Sequence, residues 1–154
     1  MTQNVNQFAL SNEKGTLDLR VNSNIIQARV HTGVTLIAGQ AVKLVDTAGG
    51  IPVVTEAADT DAVFGYVVYS HKETDYVAGQ SVEIGLSGTT MRMIAGEALA
   101  PFVNVMHVLA TGKVITAAGT TKCISAVTLD KASGDGSLIR CVISAFPTVT
   151  RPSA

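Results

Sequence analysis

The chain has 154 residues, 47% of them hydrophobic, 15% charged, with a formal net charge of -1. A chain of that length and apolar content buries a core as one ordinary domain without needing disulfides, and it is too apolar to be disordered. Charges scattered singly and summing to nearly zero create no field that would gather phosphates or anionic headgroups, so nucleic acid and membrane are not expected partners.

The chain opens on a polar stretch, residues 1–15, with few large apolar residues and no helical period, which predicts an extended N-terminal arm. It lacks the basic start and apolar core of an export signal, and no apolar run reaches the roughly 18 residues that span a bilayer. The β-domain is expected over 16–146, followed by a short tail at 147–154. It begins with Leu17–Val21 and Ile26–Val30, each alternating apolar and polar residues at the period of a half-buried strand, joined by the turn residues Asn22-Ser23-Asn24.

Short β-rich runs then follow between clusters of Gly, Asp, Asn, Ser and Thr, the spacing of a sandwich or barrel. They are Val42–Val45, Ile51–Thr55, Val63–Tyr69, Val82–Leu86, Met91–Ile94, Lys113–Thr116, Cys123–Leu129 and Leu138–Ser144. Ala95–Val108 retains some helical character, but Gly96, Pro101 and the β-branched Val103, Val105 and Val108 limit it to a short turn. The expected fold is all-β, a small antiparallel β-sandwich or barrel with little helix.

A faint echo runs through this zone. Ile37–Ala41 resembles Ile94–Ala98, Gly50–Val54 resembles Gly112–Thr116, Val63–Val67 resembles Cys123–Val127, and Gly79–Ile84 resembles Gly136–Cys141. Either the chain holds two similar strand meanders packed face to face, or chance in a β-rich sequence produces the likeness.

No motif carries chemistry. Gly85-Leu-Ser87-Gly-Thr89 lacks the last glycine of a nucleophile elbow and reads as a hairpin loop. Thr111-Gly112-Lys113-Val114 lacks the upstream glycine and the hydroxyl of a phosphate loop. His31, His71 and His107 stand apart with no ligand at metal spacing, and Asp59-Thr-Asp61 lacks the glycine and distal glutamate of a calcium loop. Asp130–Gly136 reads as a hairpin connection, and pairing its flanking strands symmetrically about residue 132 would set Cys123 opposite Cys141, two thiols expected to stay reduced. Catalytic residues, cofactors, metals and a small-molecule substrate are therefore not expected, and the chain is not expected to be an enzyme.

The stretches Gly112–Gly119, Cys123–Leu129 and Asp135–Ile143, with Gly39–Leu44 earlier, resemble the capsid decoration (head cement) proteins of tailed bacteriophages. Ser125 and Ala126 stand where that family more usually has glycine. The resemblance implies a non-enzymatic protein of the virion, a homotrimer on the capsid exterior that binds the major capsid protein and bridges its subunits. A phage tail or fibre component, or another self-assembling β-rich surface subunit, is the alternative. On this reading Asn4, Val5, Phe8, Leu10, Leu17 and Leu19 are the candidate capsid-binding residues, because an extended segment can add a strand to a neighbour's sheet.

Overall fold

The computed structural model describes residues 14–18, 23–70, 75–117 and 124–144, and within them the chain is all-β. There are twelve strands: β1 (Ile25–Val30), β2 (Thr35–Ile37), β3 (Ala41–Ala48), β4 (Ile51–Glu56), β5 (Gly65–Val67), β6 (Asp75–Val77), β7 (Ser81–Gly85), β8 (Thr90–Ile94), β9 (Asn104–Val108), β10 (Lys113–Thr116), β11 (Ala126–Thr128) and β12 (Leu138–Ile143). No helix occurs among the described residues, and the stretch with helical character contains β9, its β-branched residues having decided the outcome.

The first seven strands form a closed five-stranded barrel, β1-β4-β3-β5-β7, with β2 and β6 paired beside it. Every barrel pair is antiparallel except β1 with β4, which run parallel through Arg29–Val53 and Val30–Val54. The expected purely antiparallel arrangement gives way here for a geometric reason. Five strands cannot alternate in direction all the way round a closed ring, so one neighbouring pair must run the same way.

The remaining strands form a sheet ordered β10-β9-β11-β12-β8. Its outer strands meet through a parallel bridge, Ala95–Val114, and the hydrogen bond from Gly96 N to Val114 O (2.8 Å), so this sheet also closes. The two units share one topology, in which β1, β3, β4, β5 and β7 correspond to β8, β9, β10, β11 and β12. The hydrogen bonds repeat in register. Val30 N donates to Gln80 O and Gly79 N to Val30 O, as Ala95 N donates to Ser137 O and Gly136 N to Ala95 O. Val67 N donates to Gln40 O and Gly39 N to Val67 O, as Thr128 N donates to Val103 O and Phe102 N to Thr128 O. The short β2–β6 pair, centred on Leu36–Tyr76, has its counterpart in the single bridge Leu99–Ala132.

The echo in the sequence thus reports a structural repeat, with three adjustments. The Gly79–Ile84 match to Gly136–Cys141 is in register, because Val67 pairs with Ile84 as Thr128 pairs with Cys141. The match at Gly50–Val54 and the match at Val63–Val67 are displaced, since the strand partners equate Val54 with Val114 and Gly65 with Ala126. The match of Ile37–Ala41 to Ile94–Ala98 is coincidental, because Ile37 ends β2 and Ile94 ends β8, which occupy different places in the repeat. Nor are the meanders stacked face to face. Each curls on itself, and β5 is the join: Val67 points into the first barrel's core, while Tyr66 and Val68 pack with residues of the second. That is why all three residues of this short strand are buried.

Three local expectations are corrected by register. Leu17 does not belong to a hairpin with Ile26–Val30, because β1 pairs with β7 and β4, and Leu17 instead bridges to Met91. Residues 85–91 are not a hairpin loop, since β7 and β8 lie in different sheets. They form the link between barrels, a turn closed by Thr89 N to Leu86 O (3.0 Å) with Gly88 at φ 91°, the left-handed position that a type II turn requires. The hairpin over Asp130–Gly136 does form, but its register sets Thr128, not Cys123, opposite Cys141. Cys123 lies outside the described residues.

Cys141 is a free, fully buried thiol between β11 and β8, and burial pushes its pKa up to about 12. Because the thiolate is the reactive species, its alkylation in the folded protein at pH 8 is expected to run roughly a thousandfold slower than that of an exposed cysteine. Mass spectrometry of the peptide carrying Cys141 after timed labelling checks this, and labelling at the free-thiol rate contradicts the buried placement.

Candidate interaction surfaces

Among the described residues no group of His, Cys, Asp and Glu is placed to hold a metal ion. His31 lies on the loop after β1, half-buried, and His71 lies outside the described residues. Asp59 and Asp61 have structural work: Asp59 Oδ1 accepts from Leu109 N (2.9 Å), tying the two barrels, and Asp61 Oδ2 accepts from Lys43 Nζ (2.8 Å) and Ala58 N (2.8 Å). Lys113 opens β10 and its Nζ pairs with Asp135 (2.7 Å).

His107 differs in being buried, which its sequence context does not signal. It sits on β9 with its ring edge-on to Tyr66, centroids 5.8 Å apart, and neither ring nitrogen has a hydrogen-bond partner among the described residues. Burial pushes its pKa down to about 4, helped by the charge of Lys14 and opposed by that of Asp59. The Tyr66 hydroxyl meets Ser125 Oγ across the barrel junction, and desolvation raises its pKa well above the usual range. This is a packed junction and not an open cleft.

What the surface does offer is apolar side chains and strand edges. The β3–β4 hairpin projects beyond its barrel, turning through Gly49 and Gly50 between the paired Ala48 and Ile51. Both glycines have positive φ (61° and 81°), as a two-residue type I′ turn demands. A β-bulge at Val45, between Leu44 and Asp46, breaks the in-out alternation, so that Leu44 and Val45 are both exposed, and Ile51 at the start of β4 is exposed as well.

The second feature is Phe102, 76% exposed and the one non-glycine residue with positive φ (61°) among those described. A left-handed backbone costs a side chain such as Phe about 1–2 kcal/mol. Three hydrogen bonds hold it there: Phe102 N to Thr128 O (2.8 Å), Val103 N to Thr128 Oγ1 (3.0 Å) and Thr128 Oγ1 to Ala100 O (2.8 Å). Its counterpart in the first barrel is Gly39, at φ 76°, where a Cβ would stand 2.8 Å from Lys14 Cγ. One corner is covered by the chain itself, whereas the other presents an aromatic ring on a locked backbone.

Residues 14–18 supply that cover. Arg92 N donates to Thr16 O (2.9 Å), Asp18 N to Thr90 O (3.0 Å) and Gly15 N to Arg92 O (2.7 Å), adding a short antiparallel strand to the edge of β8. Leu17 is half-buried against the second barrel's core. Asp18 meets Arg140 Nη1 (3.4 Å), whose guanidinium is clamped by Asp130 at 2.8 and 2.9 Å. Of the candidate capsid-binding residues only Leu17 can be placed, as Asn4, Val5, Phe8, Leu10 and Leu19 lie outside the described residues. Phe102, Leu44 and Val45 were not singled out by sequence, since nothing in a single sequence marks a left-handed phenylalanine or a bulge.

Together these features define a tandem pair of small β-barrels whose described surface offers exposed apolar side chains and edge strands. No family model matches the chain, and no curated protein does. Among solved structures, its fold is similar to that of the head fiber gp8.5 N base of bacteriophage phi29, with a TM-score of 0.54 at 17% identity, over 80% of this chain and 95% of that one. At that identity the likeness is one of fold.

Proposed function

We propose that this chain is a structural protein of a tailed-phage virion, seated on the outside of the head, where it binds the major capsid protein and bridges its subunits as a decoration protein. The observation that carries the reading is the fold likeness over 95% of a phage head fiber base. The likeness of Gly39–Leu44, Gly112–Gly119, Cys123–Leu129 and Asp135–Ile143 to decoration proteins is the reason for preferring that role. The exposed Phe102 supplies the sort of rigid aromatic anchor that dominates protein interfaces. A second reading, the base of a projecting head fibre, is favoured by the identity of that neighbour. Both readings are of a non-enzymatic protein without cofactor.

Incubating purified protein with heads that lack it, then sedimenting them, tests attachment: saturable co-sedimentation is expected, and protein left wholly in the supernatant overturns the reading. Phe102→Gly refines the test. Relief of the left-handed strain is expected to leave stability unchanged or raise it by about 1 kcal/mol, while head binding weakens tenfold or more. Unaltered binding removes Phe102 from the interface. Electron microscopy of decorated heads separates a low cap, expected of a decoration protein, from a projecting fibre.

A further inference from the structure

The structural repeat gives the first barrel a counterpart of the place where residues 14–18 lie in the second, and there no described residue fills it. In the second barrel β8 and β10 meet only at Ala95–Val114 and diverge before that point. The short strand 15–18 runs along β8 at this divergence, with the Lys14 ammonium beside Gly112 at the start of β10. In the first barrel β1 and β4 likewise meet only at Arg29–Val53 and Val30–Val54. Before that point lies a groove of about 190 Å³, lined by residues 27–29 of β1, by residues 50–52 at the start of β4, and by Gly79 and Ser81 at the β7 end.

The repeat register equates Ile25, Ile26 and Gln27 with Thr90, Met91 and Arg92. The backbone groups of Thr90 and Arg92 that bond residues 15, 16 and 18 therefore correspond to Ile25 O and to the N–H and C=O of Gln27. Gln27 is exposed, and along Ile25–Ala28 β1 has, among the described residues, a strand partner only in β7. An open edge of this sort is a template for one more strand. On the groove's far wall Pro52 has no N–H to offer, so pairing there falls to β1.

We infer that the β1–β4 groove is a strand acceptor filled by the residues ahead of Lys14 of a second copy of this chain. Three observations select that occupant. The equivalent groove already takes a strand of this same chain. Thirteen residues precede Lys14, enough for about 40 Å of extended chain, and each copy has one such segment and one open groove. Charge separates this segment from 14–18 itself: Asp18 is accommodated by Arg140, but the register places Glu83 at the corresponding position of the first barrel. An acid following the anchoring apolar residue would be repelled there. Ahead of Lys14, Phe8 is followed by Ala9 and Leu10 by Ser11, both neutral, and Phe8 and Leu10 have the two-residue spacing that puts side chains on one strand face.

The test is made on the purified chain without heads, so its outcome is independent of capsid attachment. Light scattering is expected to give the mass of a small oligomer for the parent, and that of a single chain both for a variant lacking residues 1–13 and for Gln27→Pro, which removes the edge N–H. Proline is tolerated on edge strands, and an unchanged melting transition verifies the fold. A labelled peptide of residues 1–13 is expected to bind the truncated variant and to lose at least tenfold in affinity when Gln27→Pro is added. A single-chain mass for the parent at tens of micromolar, or an oligomer that survives Gln27→Pro, overturns the inference.

Discussion

Replacing Tyr66 with alanine is expected to destabilise the protein by about 3–5 kcal/mol, the largest single-residue effect at the barrel junction. Tyr66 is fully buried on β5, yet its side chain belongs to the hydrophobic cluster of the second barrel, where it meets Ser125 and the ring of His107. Removing it opens a cavity where the two barrels meet and forfeits the burial of a large ring. Tyr66→Phe separates ring from hydroxyl: it leaves Ser125 Oγ without this partner and is expected to cost about 1–2 kcal/mol. Urea titration of both variants measures this, and a loss under 1 kcal/mol for the alanine variant would mean that the barrels are joined elsewhere.

The second large effect is a response to acid. His107 is buried neutral, with a folded pKa near 4 against an ordinary value of 6.5. Above pH 6.5 neither the folded nor the unfolded chain protonates it, and stability is unaffected. Between 6.5 and 4 the unfolded chain takes up a proton that the folded one refuses, so stability falls as pH falls, by about 3 kcal/mol across the window from this residue. Below 4 both states are protonated and its contribution levels off. His107→Leu is expected to remove this slope while leaving the acid limb caused by carboxylates. Denaturation midpoints at pH 7, 5.5 and 4 for parent and variant decide it, and parallel curves would place the acid sensitivity on other groups.

The repeat explains why the two barrels differ in what they can do. Gly39 admits residues 14 and 15 against its backbone, while the equivalent Phe102 projects outward. The edge of β8 is covered by residues 15–18, while the matching stretch of β1 borders a groove. A duplicated topology with unequal corners gives a single small chain two distinct surface features, one aromatic and one made of backbone.

Fold class was legible because it depends on a local quantity. The period-two alternation in Ser81–Gly85 and Leu138–Ile143 puts Val82, Ile84, Ile139, Cys141 and Ile143 inward wherever those strands lie, and Gly and Asp at the turns bound each run. The brief β2 and β6 are not legible because three residues are too few to show a period, and β9 because Ala95, Ala98, Ala100 and Pro101 just ahead of it blur the pattern. The echo between Gly79–Ile84 and Gly136–Cys141 was readable because neither strand carries an irregularity. Elsewhere the bulge at Val45 and unequal loops displaced the match. What the sequence alone determined is therefore the strand content, most strand positions and the hint of a repeat. Which strands pair, the closure of each meander on itself, the parallel seam at β1–β4, the burial of His107 and the outward left-handed Phe102 were decided only in three dimensions. Each depends on register between segments distant in the chain, and a strand's own residues carry its periodicity but not the identity of its partner.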